Sequence, residues 1–257
     1  MTEAYIYDAV RTPRGKGKQD GTLHEVSAVR LSAETLNELK RRNNLDGHAV
    51  EDLIWGNVTP IGEQGACLAR SAVLMSDLDE RIPGVSINRF CASGMEAVNM
   101  AANQVRGGAG DAYIAGGVES MSRVPMGSDG GAIAVDPTLA FKAYFAPQGI
   151  GADIIATKYG FSRDDCDAYA VESQKRAAAA QKAGKFGKSV FTVKDQNGID
   201  ILGHDEMVRA TDMQSLGSLR PSFKDMGEVM PGFDAVALLK YPELERVNHV
   251  HHAGNSS

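Results

Sequence analysis

The chain contains 257 residues, of which 43% are hydrophobic and 23% are charged, as expected for one large globular domain or two modest ones. Its formal net charge of −6 argues against nucleic acid as a partner, because binding to phosphate backbones needs a basic surface. This charge is still compatible with a small anionic ligand, since a few arginines or backbone amides can hold one locally.

The first residues and the cysteines indicate the cellular compartment of the protein. The N-terminus enters an alternating strand pattern without a recognisable leader, and no apolar run reaches the length of a membrane span. The three widely spaced cysteines, Cys67, Cys91 and Cys166, do not predict a disulfide framework. We therefore expect a cytoplasmic protein with reduced thiols and no membrane span.

Strand and helix patterns alternate through the first 120 residues. The predicted elements are, in chain order, strand 4–10, helix 27–42 capped by Ser27, strand 51–58, helix 65–75, strand 83–90, helix 95–108 and strand 111–120. We expect the short strand at 83–90 to be mostly buried. The alternation predicts an α/β fold with a mostly parallel sheet and helices on both of its faces.

The pattern changes after about residue 120. Residues 121–149 are rich in Gly and Pro and predict a long irregular excursion. A helix is then predicted from Ser162, with a capping box to Asp165, as far as Gly184. Short strands, turns and a second irregular stretch at 224–244 follow it.

This change predicts the domain organisation. We interpret 1–119 as a core domain and 120–246 as an insertion that covers the ligand edge of the sheet. Residues 247–257 are interpreted as the return to the core. They stop without a helix cap or a terminal element, so we expect the chain to be cut there.

Cys91 stands at the junction of the predicted strand 83–90 and the helix that follows it. At such a junction, unpaired backbone amides and the helix dipole stabilise a thiolate, and the small residues Ala92, Ser93 and Gly94 leave room for an acyl group. Ligands of open α/β sheets bind at the carboxyl ends of strands. The alternative is a buried core residue, as free cysteines commonly are. The spacing alone leaves both interpretations open.

Several longer motifs together resemble one enzyme family. INRFCASGMEAVNMAANQV followed by AGGVESMSRVP is similar to the acyl-enzyme signature of the thiolases, the acetyl-CoA acyltransferases. RTPRGKGK, GEQGACLAR, SRDDCDAYAVESQKRAAAAQKAGKF, LRPSF and HHAGNSS resemble further thiolase segments in the same order. The resemblance runs over essentially all 257 residues. It implies a thiolase-like layered fold with an inserted α+β loop domain and without the second core repeat.

The resemblance implies an activity and a set of site residues. Cys91 would accept an acyl group from a 3-ketoacyl-CoA, or from acetyl-CoA in the reverse direction, so that one carbon–carbon cleavage becomes two easier acyl transfers. Coenzyme A and acetyl-CoA would be substrates, and no permanently bound cofactor is implied. The residues that match CoA-binding positions of the family are Leu139, Arg209, Ser215, Phe223, Ala253 and Ser257. Without the resemblance, Arg209 would be an ordinary solvated charge and Phe223 a core aromatic.

Two departures favour a degradative, β-oxidation type of thiolase. Pro147 and Gln148 stand where many biosynthetic members carry a His-Met pair, so the role of that imidazole is not carried over. The stretch GEVMPGFDAVALLKYPELERVN is also longer than the corresponding link in short biosynthetic members.

A third departure concerns the second half of the family's sequence. Thiolases continue past the AGNSS segment into a second core domain with an asparagine motif, a Gly-His-Pro histidine and a Cys-x-Gly cysteine. The histidine activates the nucleophile, and the second cysteine exchanges a proton with the acetyl-CoA carbon. Because the sequence contains none of these motifs, we expect an incomplete copy of a thiolase.

The remaining cysteines and clustered histidines are not predicted to be functional. Cys67 and Cys166 lie on predicted helices and are interpreted as structural. His249, His251 and His252 have no cysteine or carboxylate at metal-ligand spacing, so no metal site is predicted.

Two other functions compete with thiolysis. A ketoacyl synthase also acylates a helix-terminal cysteine, but GVESMSRVPM and the CoA-loop match argue against it, since such enzymes usually take acyl chains from a carrier protein. An incomplete thiolase half would act only as a binding module for CoA or acyl-CoA. For a whole protein, the resemblance implies a homodimer or homotetramer and leaves room for a β-oxidation multienzyme partner.

Overall fold

The computed structural model describes residues 3–230 and 232–256 of the chain. These residues form two compact units, the first made of 3–129 and 184–207 and the second of 130–183 and 208–256. The interpretation of 120–246 as an insertion that covers the ligand edge of the sheet stays a prediction.

The first unit is built on a sheet of three parallel strands. Its elements are α1 (Ala28–Asn43), β1 (Asp52–Gly56), α2 (Leu68–Met75), β2 (Gly84–Ile87), α3 (Ser93–Gly107) and β3 (Tyr113–Gly117), and the strand order is β2-β1-β3. In the register, Ile54 of β1 aligns with Val85 of β2 and with Ala115 of β3. The predicted parallel sheet is thereby confirmed.

Different helices cover the two faces of this sheet. Successive side chains of a strand point to opposite faces, so Leu53 of β1 packs with Leu36 of α1 and Val73 of α2. The next residue, Ile54, packs with Ala97 of α3 on the other face. Each leucine or isoleucine buried in this way stabilises the unit by about 1.5–3 kcal/mol. The predicted arrangement of helices on both faces is confirmed.

Two expectations about the first unit's strands are wrong. Residues 4–10 form no strand, and Tyr5 and Tyr7 are 70% and 93% exposed, because no described segment pairs with this stretch along its length. Its nearest pairing is a single bridge between Arg11 and Val190. Strand β2 is largely half-exposed rather than buried, with Val85 38% exposed, because it lies at the edge of the sheet.

A later segment of the chain completes the first unit. Strands β4 (Val193–Lys194) and β5 (Asp200–Leu202) form a short antiparallel pair. Val193 and Leu202 are buried in one cluster with Leu23.

The second unit is helical in its described part. Its elements are α4 (Ala132–Val135), α5 (Pro137–Lys142), α6 (Gln148–Tyr159), α7 (Arg163–Lys182), α8 (Met213–Gly217), α9 (Lys224–Glu228) and α10 (Phe233–Lys240). Helix α7 confirms the predicted capping box: the Ser162 side chain accepts a hydrogen bond from the Asp165 amide, and the Asp165 carboxylate accepts one from the Ser162 amide.

Irregular chain was expected at 121–149 and 224–244, but helices α4 and α5 lie in the first stretch and α9 and α10 in the second, and α6 begins at the end of the first. The glycines and the proline at the start of α6 are typical of turns, but Pro147 serves as its N-cap and Ile150 and Ile154 reach a buried cluster. Ala237 of α10 and Val247 belong to the same cluster. For α6 and α10, burial in the tertiary structure therefore outweighs a local composition that is typical of irregular chain. No helix in the described residues has both the length and the apolar character that crossing a membrane would require.

Candidate active site

Polar side chains follow the carboxyl ends of the parallel strands. The Glu119 carboxylate, two residues after β3, accepts hydrogen bonds from the Val58 amide at 2.8 Å and from the Gln64 side-chain amide at 2.8 Å. Gln64 is fully buried and in turn accepts a hydrogen bond from the Ser120 amide at 2.7 Å. The loop after β1 is thus tied to the loop after β3.

Asn88 links the loop after β2 to the loop after β1. Its side-chain amide donates to the Val58 carbonyl at 2.9 Å, and its side-chain oxygen accepts from the Phe90 amide at 2.8 Å. Phe90 has a φ of 48°, in the left-handed region that is strained for a side chain of this size. The chain therefore turns sharply one residue before Cys91.

Cys91 lies between β2 and α3 and is exposed. The interpretation of Cys91 as a buried core residue is therefore wrong. Among the described residues, nothing hydrogen-bonds to the first-turn amides of Gly94 and Met95 in α3. An accessible thiol thus stands beside a helix N-terminus that still has N–H groups to donate.

Ser93 holds the turn that carries Cys91. Its hydroxyl is buried, accepts a hydrogen bond from the Arg89 amide at 2.8 Å and donates one to the Phe90 carbonyl at 2.6 Å. Helix α3 also approaches β1 closely, since a Cβ at Gly56 would lie 2.8 Å from the Ser93 Cβ. The position of Cys91 is therefore set by the Ser93 hydroxyl and by the absence of a side chain at Gly56.

Two residues predicted to bind CoA lie at helix α8 of the second unit, Arg209 before it and Ser215 in its first turn. Arg209 is exposed and its amide donates to the Gln174 side chain at 3.1 Å. Ser215 forms a capping box with Asp212 at the start of α8, where its amide donates to the Asp212 carboxylate at 2.7 Å. Leu216 of α8 packs on helix α7. Arg209 and Ser215 are thus brought to one side of α7.

The other predicted CoA residues are placed separately. Phe223 is half-buried against the cluster of Ile150 and Ala237, as a core aromatic would be. Leu139 lies on α5 and is 40% exposed, and within the described residues no cluster joins it to Phe223. Ala253 is exposed. Ser257 lies outside the described residues.

Buried carboxylates accompany the histidines near the end of the chain. The Asp153 carboxylate accepts hydrogen bonds from His249 Nδ1 at 2.8 Å and from His251 Nδ1 at 2.7 Å. His249 Nε2 lies 2.9 Å from Asp234 Oδ2. Burial alone would lower the pKa of His249, but its hydrogen bonds to Asp153 and Asp234 outweigh this and raise the pKa.

His252 has a separate buried partner. Its Nε2 lies 2.9 Å from Asp167 Oδ1, which also accepts from the Asn255 side chain at 2.8 Å. In the described residues, no three or more His, Cys, Asp and Glu side chains are grouped so as to hold a metal ion.

Comparison with known proteins assigns the chain to a family. The family model described as the thiolase N-terminal domain matches residues 4–235. The chain belongs to the thiolase family. The motif carrying Cys91 lies within the matched thiolase region.

Several curated relatives of this chain carry the same name. Proteins named 3-ketoacyl-CoA thiolase are 41% identical over 231 residues in Shewanella sp. (strain MR-7), 40% identical over 230 residues in Shewanella denitrificans and 38% identical over 230 residues in Shewanella loihica. Each match covers 87% of this chain and 58% of the relative. The thiolase chain thus spans less than two thirds of the length of these curated relatives.

The supporting residues of this candidate site were missed from sequence. Asn88, Ser93 and Glu119 act on backbone groups that come close only in the fold. One signal could have identified two of them, since Asn88 and Glu119 lie at the carboxyl ends of the predicted parallel strands 83–90 and 111–120, where ligand-edge residues are expected.

Proposed function

We propose that this chain carries the acyl-accepting site of an acyl-CoA acyltransferase that cleaves 3-ketoacyl-CoA in fatty-acid β-oxidation. The exposed Cys91 thiol at the junction of β2 and α3, within a thiolase-family sequence, carries this proposal. The relatives named 3-ketoacyl-CoA thiolase support the choice of substrate class.

The proposed chemistry begins with Cys91. Its sulfur attacks the 3-keto carbonyl carbon, the bond between that carbon and the acetyl-CoA carbon breaks, and the acyl group remains on Cys91 as a thioester. The released carbon takes up the proton that the Cys91 thiol has lost, which gives acetyl-CoA. The thiol of free CoA then attacks the thioester, which gives an acyl-CoA and restores the Cys91 thiol. The free amides of Gly94 and Met95 favour negative charge near the sulfur.

The proposed CoA contacts come from the second unit. We assign them to Leu139, Arg209, Ser215, Phe223, Ala253 and Ser257. Arg209 is exposed, as stacking of its guanidinium on an adenine ring requires. CoA and acyl-CoA are substrates here, with no permanently bound cofactor. A cytoplasmic homodimer or homotetramer, with a β-oxidation multienzyme as partner, completes the proposal.

Site-resolved acylation tests the proposal. The chain is incubated with acetyl-CoA or a 3-ketoacyl-CoA, and the acyl group is located by mass spectrometry on tryptic peptides. The three cysteines fall in different peptides, 43–70, 90–106 and 164–175. We expect a hydroxylamine-sensitive acyl group on peptide 90–106, lost in Cys91→Ala and kept in Cys67→Ala.

Iodoacetamide gives the matching control. A poised Cys91 should be alkylated about tenfold faster than Cys67, and CoA should slow that reaction. A folded chain that binds CoA yet never acylates Cys91, with slow and equal alkylation of Cys91 and Cys67, would overturn the proposal and leave a CoA-binding module.

A further inference from the structure

A second thiol of the chain lies in a pocket of the second unit. The pocket is lined by Phe161, Asp165, Cys166, Tyr169, His251 and Asn255. Phe161 and Tyr169 are exposed aromatic side chains and provide apolar walls. Cys166 is half-buried and lines this pocket.

Cys166, His251 and Asp153 form an ordered array. Cys166 Sγ lies 3.9 Å from His251 Nε2, and His251 Nδ1 lies 2.7 Å from Asp153 Oδ1. The same carboxylate oxygen accepts hydrogen bonds from the Val250 amide at 3.0 Å and from the His251 amide at 3.1 Å. Asp153 is fully buried and rigidly held by these donors.

This array fixes the role of each ring nitrogen of His251. Because the Asp153 carboxylate only accepts hydrogen bonds, Nδ1 of His251 carries the proton and donates it. In the neutral imidazole, Nε2 then presents its lone pair towards the sulfur of Cys166. A thiol, a base and a carboxylate that orients the base are the parts of an assisted nucleophile.

The charges around the thiol decide how it would react. Burial raises the pKa of Cys166, and the carboxylates of Asp167 and Asp165 raise it further, against a smaller opposite effect of the Arg163 guanidinium. The thiol therefore keeps its proton at neutral pH until a base removes it during attack. His251 is placed to be that base.

Cys67 provides the internal comparison. It is also half-buried, but its sulfur lies 3.2 Å from the Gly84 carbonyl and 3.9 Å from the Ser86 hydroxyl. Neither of these groups is a base that could accept the thiol proton and return it. Burial alone therefore does not distinguish the two thiols, whereas the neighbouring imidazole does.

We propose that Cys166 is a second acyl-acceptor thiol, modified by thioesters with an apolar acyl group through base assistance from His251. The sulfur attacks the thioester carbonyl carbon while its proton passes to His251 Nε2. The carbonyl re-forms as the bond to the leaving sulfur breaks, and that thiolate takes the proton from His251. One thioester and one thiol are consumed and one of each is formed, so no oxidant or reductant is needed.

The test uses a thioester without nucleotide, S-hexanoyl-N-acetylcysteamine, and the full chain carrying Cys91→Ala. Acylation is followed separately on the peptides of Cys166 and Cys67. We expect hexanoylation of Cys166 that hydroxylamine removes, with Cys67 reacting about a hundredfold more slowly. His251→Gln should slow Cys166 to the rate of Cys67, whereas His204→Gln, at an exposed position, should leave it unchanged.

Asp153→Asn separates positioning from folding. It should slow acylation of Cys166 and change its pH profile, while protection of the α7 amides from hydrogen exchange reports that the second unit, which contains Asp153 and Cys166, is still folded. Equal rates for Cys166 and Cys67, or a Cys166 rate unchanged by His251→Gln, would overturn the proposal. Because Cys91 is absent from the test chain, either result is independent of the function proposed for Cys91.

Discussion

Ser93 illustrates how one side chain holds the turn that carries the thiol. Its hydroxyl accepts from the Arg89 amide and donates to the Phe90 carbonyl, closing the tight turn in which Phe90 takes a left-handed conformation. Such a conformation persists only where its surroundings hold it. The two hydrogen bonds of Ser93 therefore offset part of the strain next to Cys91.

Replacement of Ser93 by alanine should loosen the turn that carries Cys91. Ser93→Ala removes the acceptor of the half-buried hydrogen bond from the Arg89 amide, which costs about 0.5–1.5 kcal/mol of unfolding free energy. We expect acylation of Cys91 by acetyl-CoA to fall more than its alkylation by iodoacetamide, because the larger substrate needs the fixed geometry. Urea unfolding and site-resolved labelling measure the two effects.

Ser71→Ala is the matched control for that substitution. Ser71 is exposed, and its hydroxyl donates to the Cys67 carbonyl in a helix that does not carry Cys91. Its effect on stability should stay within about 0.5 kcal/mol. Equal effects of both substitutions on Cys91 would contradict a positioning role for Ser93.

The sequence predicts some residues of the site and not others. Cys91 is found because strand, small residues and helix follow one another locally. The pairs His251–Asp153 and His252–Asp167 join residues 98 and 85 positions apart. Hydrogen bonds of that kind exist only after helices α6 and α7 have packed, so no local pattern reports them.

At the level of elements, the spacing of hydrophobic residues identifies the helices and strands that bury one face. Helices α1, α2 and α3 and all three parallel strands lie at the predicted places. Segment 4–10 alternates as a strand does, but a strand needs a partner and the described residues supply none along its length. Helix α6 shows the converse, because burial of Ile150 and Ile154 outweighs the turn-like glycines around them.

The approach of α3 to β1 depends on a missing side chain. A methyl group at Gly56 would lie 2.8 Å from the Ser93 Cβ and backbone carbon, closer than real Cβ contacts. Gly56→Ala should therefore displace the start of α3 and destabilise the first unit by about 1–3 kcal/mol. Thermal unfolding and the Cys91 alkylation rate measure this effect.

Gly107→Ala, at the other end of α3, is its control. A methyl group there meets nothing within 4 Å. Alanine favours a helix over glycine by about 1 kcal/mol, so this variant should be neutral or more stable and should keep the Cys91 rate. A loss of stability equal to that of Gly56→Ala would show that the close approach is not the cause.

On the scale of the whole molecule, the two units use different charged pairs. In the first unit, hydrogen bonds from Arg11 lower the pKa of Asp205, and hydrogen bonds from Arg123 lower the pKa of Glu63. A lowered carboxyl pKa gives stability above the unfolded value, 3.8 for Asp and 4.5 for Glu, that is lost as pH falls. These pairs therefore weaken only in acid.

In the second unit, His249 responds in the opposite direction. Its two ring nitrogens face carboxylates, and only the protonated ring can donate to both of them. Its raised pKa gives stability that is fully present below the unfolded value of 6.5 and is lost as pH rises through the folded pKa. The second unit should therefore weaken as pH rises above 6.5, where the ion pairs of the first unit persist.

Amide hydrogen exchange, corrected for intrinsic rates, tests this difference between about pH 6 and pH 8.5. Protection of α6 and α10 should fall as pH rises, and that of β1 and α2 should change less. His249→Gln should remove the pH dependence and lower protection of α6 at pH 6 by about 3 kcal/mol, because Asp153 and Asp234 then face each other without a cation, whereas the exposed control His204→Gln should not. Parallel loss of protection in both units, or a wild-type second unit insensitive to pH, would contradict the role assigned to His249.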